Sequence, residues 1–315
     1  MLERLPTLVL ATVLAALAGQ GVDAAASGAP SSAPTTTSVE GLSDPPETLQ
    51  EVTVTAHRIE LEKRISKFVG EITARQNFDE GIARWHRPVC PLVSGLPRDD
   101  GEFILGRVSE IARDAGVKLG DEQCKPNFYI LVSPQPAALL REMERRNRDY
   151  TFGRDALPIP VDEFIASHLP VRIWQVSDFE AADGMPMLAM PGRCPVVKGQ
   201  VVRCNNHAQG NPTRFDTVWT VLRAFVVVDQ SRLKTLSRGQ LADYVAMVGL
   251  ADIKPNPHLG DSPTILKLFD STPQAAPPGL SDWDQAFLKS LYATEQESKH
   301  QRSQIARQMV HEIAP

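Results

Sequence analysis

The order of apolar and polar positions divides the chain into alternating helical and strand-like stretches. From 59 to 72 the apolar residues Leu61, Ile65, Phe68, Val69 and Ile72 recur at helical spacing. Residues 82–89 are strand-like. Residues 99–115 form a predicted helix with Phe103, Ile104, Val108, Ile111 and Ala112 on one face and Gly116 as its stop. A buried strand over 128–132 and a charged helix over 136–148 follow, with further strands at 171–176 and 219–229. Between the last two lies a Gly/Pro-rich excursion, 181–212. Residues 237–249 carry helix punctuation at both ends. Ser237 and Gln240 make a capping box, Leu241, Tyr244, Val245 and Val248 an apolar face, and Gly249 a C-terminal cap. Ser262 and Pro263 are expected to start a short helix as N-cap and N1. The segment 295–313 is amphipathic, with Ile305, Met309, Val310 and Ile313 on a narrow face able to dock on the body or pair with another chain, and a charged remainder that reads as a solvated face. Strands alternating with helices predict an α/β (more loosely α+β) fold with a mixed sheet.

The N-terminus reads as targeting. An almost uninterrupted apolar run over 5–18 leads to small residues at Ala24, Ala25 and Ala26, the layout of a secretory signal of residues 1–26. Residues 27–50 are Ala/Ser/Pro/Thr-rich and expected to be a disordered linker. Residues 51–80 then hold a short strand and the lead-in helix. The strand, Glu51-Val52-Thr53-Val54-Thr55-Ala56, resembles the EVVVTA stretch near the mature N-terminus of TonB-dependent outer-membrane receptors. That resemblance implies a segment able to add as a strand to an envelope partner. A receptor barrel is excluded, because about 22 strands need far more chain.

The chain has 315 residues, Lys+Arg 33 against Asp+Glu 38 and a net charge of −5, with no basic block, which argues against nucleic acid as a partner. No apolar stretch beyond the N-terminus is long enough to span a bilayer, so no transmembrane span is expected in the mature chain. The four cysteines, Cys90, Cys124, Cys194 and Cys204, allow three pairings and contain no C-x-x-C. Cys90–Cys124 with Cys194–Cys204 is favoured, the second closing a small hairpin around Lys198-Gly199-Gln200. Together these features predict an exported protein, periplasmic or outer-membrane-associated in a Gram-negative bacterium.

The run Ala242-Asp243-Tyr244-Val245-Ala246-Met247-Val248-Gly249-Leu250 resembles the zincin active helix, H-E-x-x-H-x-x-G-L. Two further stretches match in order. Ser262-Pro263-Thr264-Ile265-Leu266-Lys267-Leu268-Phe269 falls where such peptidases place the turn beneath the metal. Leu280 to Tyr292 looks like their closing helix. The chain is similar to an uncharacterised proteobacterial group of secreted, zincin-like proteins. The resemblance implies a zincin-like domain over 81–293, with the helix 237–249 lying across the sheet beside strand 225–229, and a C-terminal helix over 294–315. Zinc needs two imidazoles one helical turn apart and a carboxylate beside them. Here the ligand positions are Ala242 and Ala246, the carboxylate is the shorter Asp243, and the third-ligand position is Asp252. Alanine coordinates nothing, so no metal, no cofactor and no catalytic residue are expected, and the implied role is binding to an unknown protein or envelope partner.

Two alternatives stand beside it: a secreted hydrolase or metallopeptidase with a non-standard site, and a purely structural envelope adaptor. The seven histidines include no i, i+4 pair. Gly260-Asp261-Ser262 echoes the GDS element of a hydrolase family but lacks its D-x-x-H partner. Trp174, Trp219 and Trp283 sit at spacings expected of core packing.

Overall fold

A computed structural model describes residues 47–74, 81–154, 156–183, 187–188, 194, 196–197, 199–201, 203–204, 212–270 and 276–314. The signal segment and the linker up to 46 lie outside these residues. The expected strand at Glu51, Val52, Thr53, Val54, Thr55 and Ala56 is not one: it belongs to a continuous helix α1, Glu47–Ile72. Its last turns bury Ile65, Phe68, Val69 and Ile72. A helix nucleated by such packing extends one bond per residue toward its N-terminus, and strand propensity is weak where no neighbouring strand supplies a ladder.

The sheet is built from β1 (Pro91–Ser94), β2 (Phe128–Ser133), β3 (Val171–Ala181) and β6 (Thr217–Asp229), in the order β1-β2-β6-β3. β1, β2 and β6 are parallel, and β3 is an antiparallel edge strand. The fold is therefore α/β with a mixed sheet. Helix α2 (Arg98–Asp114) makes the crossover from β1 to β2. Helices α3 (Pro136–Phe152) and α4 (Pro158–Ala166) lie between β2 and β3. The excursion between β3 and β6 holds a two-stranded ribbon, β4 (Val196–Val197) with β5 (Gln200–Val201), turned at Gly199 with φ +80°. After β6 come α5 (Arg238–Leu250), a 3-10 turn at Ile265–Phe269, α6 (Asp282–Ala293) and α7 (Gln301–Ile313).

Alternation along the strands sorts the two faces. Phe128, Ile130 and Val132 of β2, with Ala224, Val226 and Val228 of β6, join α1, α2, α5, α6 and α7 in the main core. Val227 faces the other way and joins Leu140, Phe152, Val161 and Ile165 of α3 and α4. A strand buried on both faces reads as a continuous apolar run, as Phe225-Val226-Val227-Val228 does.

Three further expectations change. Residues 82–89 are not a strand but make two isolated parallel bridges, Arg84 with Thr220 and Val89 with Leu119, and the regular strand starts at Pro91. β2 reaches β6 only from Ala224 onward, so the earlier half of β6 leaves an edge that residues around Arg84 fill. Pro88 has no N–H to continue a ladder. The C-terminal helix begins only at Gln301; its apolar face docks with Ile305, Met309 and Val310 buried against α6, while Ser303, Arg307, His311 and Glu312 stay exposed. Thr264, not Ser262, caps the short turn, and Pro263 lies outside it.

Both disulfides are formed in the favoured pairing, Cys90–Cys124 and Cys194–Cys204, with Cα–Cα distances of 6.0 and 5.4 Å. They fit an oxidising compartment. Among the described residues no helix is long and apolar enough to cross a membrane.

Candidate functional site

α5 starts as its sequence dictates. The Ser237 Oγ accepts from the Gln240 N–H at 3.1 Å, and the Ser237 N–H donates to Gln240 Oε1 at 3.0 Å. The helix then enters the core almost entirely. Ala242 and Ala246, where the sequence resemblance would place ligands, are both 0 % exposed. Positions 242, 246 and 249 fall on one helical stripe. Gly249 is not a cap but an interior residue of that stripe, where an added Cβ would stand 2.0 Å from Phe128 Cζ. Small side chains on this face let the helix approach β2. Tyr244 packs against the core with its ring edge-on to Phe269, and burial pushes its phenol up to about 12.

With no glycine cap, the last carbonyls of α5 need other donors. The Gln175 side-chain amide donates to Val248 O and Ala251 O, the Trp85 indole to Gly249 O at 2.9 Å, and the Tyr292 hydroxyl to Leu250 O at 2.6 Å. Three separate segments thus close the helix end.

Asp243 is 5 % exposed and fully engaged. Its Oδ1 accepts from Arg107 Nε of α2 at 2.8 Å, and its Oδ2 from the Leu280 N–H at 2.8 Å. Gly279 is required beside it, since a Cβ there would come within 2.6 Å of Oδ2. Hydrogen bonds to Asp243 and Glu110 hold the Arg107 guanidinium above the usual arginine range. The carboxylate is therefore a clamp joining α5 to α2 and to the approach of α6. Asp252 is placed elsewhere: its carbonyl accepts from Ala74 N, and Ile253 bridges Thr73 at the end of α1. The pocket beside the clamp, bordered by Arg107, Ile111, Leu280 and Leu288, has a volume of about 50 Å³, against roughly 300–1,000 Å³ for small-molecule sites.

The turn and the closing helix are joined by a residue whose role the sequence did not announce. Asp284 is fully buried and accepts from Thr264 Oγ1, the Ile265 N–H, the Ser281 N–H and Ser281 Oγ at 2.6–3.0 Å. Burial pushes its carboxyl up, while the Thr264, Ser281 and Ile265 donors oppose that shift.

A second polar cluster lies where residues 84–87 meet the β3–β6 pair. Thr220 Oγ1 donates to Glu180 Oε2 at 3.0 Å, and Arg87 to Glu180 Oε1 at 3.0 Å. His86 Nδ1 stands 3.2 Å from Thr220 Oγ1 and 3.4 Å from Glu180 Oε2. The single hydroxyl hydrogen of Thr220 goes to Glu180, so His86 Nδ1 faces two oxygen acceptors. Burial raises the Glu180 carboxyl, but the Thr220, Arg87 and His86 contacts outweigh it and hold the group below its ordinary value. An imidazole backed by a carboxylate suits proton transfer. The neighbouring hydroxyl, however, is 0 % exposed in mid-strand and beyond the reach of a substrate. Neighbouring residues are equally tied down. Ile82 bonds Gln301 and Gln296, and Arg84 donates to Leu291 O and Thr294 O.

Among the described residues no group of three or more His, Cys, Asp or Glu side chains could hold a metal ion. His207 lies outside them. The tryptophans pack as aromatic partners: Trp174 on Phe152 and Phe164, Trp219 on Phe179, and Trp283 on Phe68. No protein-family model, no curated protein and no solved structure matches this chain.

Proposed function

We propose that this is an exported, non-catalytic protein on a zincin-like frame, a pseudoenzyme whose former metal helix serves as a core strut and whose role is to bind a protein or envelope partner. One observation carries the reading: the positions that would present imidazoles are alanines sealed in the core, and the adjacent carboxylate is spent on Arg107 and the Leu280 N–H. Support also comes from α5 following β6 and packing on the sheet beneath it. The two disulfides support export, with the periplasm or the outer-membrane surface as the proposed location.

Metal analysis and a peptidase assay on protein purified from the periplasm test the proposal. The expected result is far less than one zinc per chain and no cleavage of unstructured peptides. Stoichiometric zinc that survives dialysis and leaves with a chelator would overturn it. The structural-adaptor reading keeps one specific support, because the Ala242-Ala246-Gly249 stripe is also what close packing against Phe128 demands. Pull-down of folded envelope proteins, with and without the disulfides reduced, separates a binding module from an inert strut.

A further inference from the structure

We draw no further inference here: the strongest candidate, the outer edge of the antiparallel strand β3 over Val171–Ala181, carries no paired strand among the described residues, but nothing in the structure shows what lies along it.

Discussion

Helix α5 and the segment 82–87 hold the same core from opposite kinds of sequence. α5 announces itself through a capping box and a nine-residue likeness to a catalytic helix. Yet its one carboxylate, Asp243, is absorbed by packing. The segment 82–87 carries no motif, reads only as a strand-like stretch, and forms neither helix nor regular strand. It nevertheless bonds to β6, to the end of α5, to α6 and its C-terminal side, to α7 and to β3. A recognisable pattern is thus a poor guide to importance here. What matters is how many separate elements a residue joins, since each bond made across the fold would otherwise leave a buried polar group unpaired.

The comparison breaks most sharply at Trp85. Trp85→Ala is expected to cost about 3–5 kcal/mol, as for a large buried aromatic, and to free Gly249 O as well. Trp85→Phe keeps most of the ring and isolates the lost indole bond at about 1–3 kcal/mol. Denaturant titration of both measures the two parts, and a loss under 1 kcal/mol for the alanine variant would demote the whole segment.

Gly249 tests whether α5 is packed or merely capped. Gly→Ala in an open helix interior is favourable by about 1 kcal/mol. Here the Cβ meets the Phe128 ring, so Gly249→Ala should instead destabilise by about 1–3 kcal/mol. Combined with Phe128→Leu, which opens space, its cost should fall short of the sum of the single changes. Full additivity would mean that the helix does not approach β2 this closely.

Asp243→Asn keeps the shape of the clamp and removes its charge. A loss of about 1–2 kcal/mol in unfolding free energy, read from denaturant titration, is expected, with Arg107→Gln giving a similar loss and the double variant less than the sum. If Asp243→Asn left stability untouched, the carboxylate would again be a candidate for chemistry.

The smallest effect concerns acid. Because the Glu180 carboxyl lies below its ordinary value in the folded protein, its contribution is present above the unfolded value near 4.3 and is lost as pH falls through the folded value. The stability difference between the parent and Glu180→Gln should therefore be level above about pH 5 and shrink toward pH 3. Urea midpoints at half-unit steps measure it, and a gap that widened on acidification would reverse the sign assigned here.

Local rules written in neighbouring residues were legible in the chain. The Ser237–Gln240 box, the apolar face of α2, the buried strand over 128–132, and the closure of Cys194 with Cys204 across ten residues all depend on spacings that the sequence itself displays. These are short-range consequences of helix and strand periodicity. Tertiary structure alone decided the rest. Asp243 finds Arg107 136 residues away, Trp85 finds Gly249 164 away, and Ile82 finds Gln301 219 away. It also turned a β-prone stretch, Glu51–Ala56, into the start of α1, and a cap-like Gly249 into a contact with Phe128. A hydrogen-bond partner brought close by folding leaves no periodic trace in the chain, and a propensity worth a few tenths of a kcal/mol per residue yields to packing.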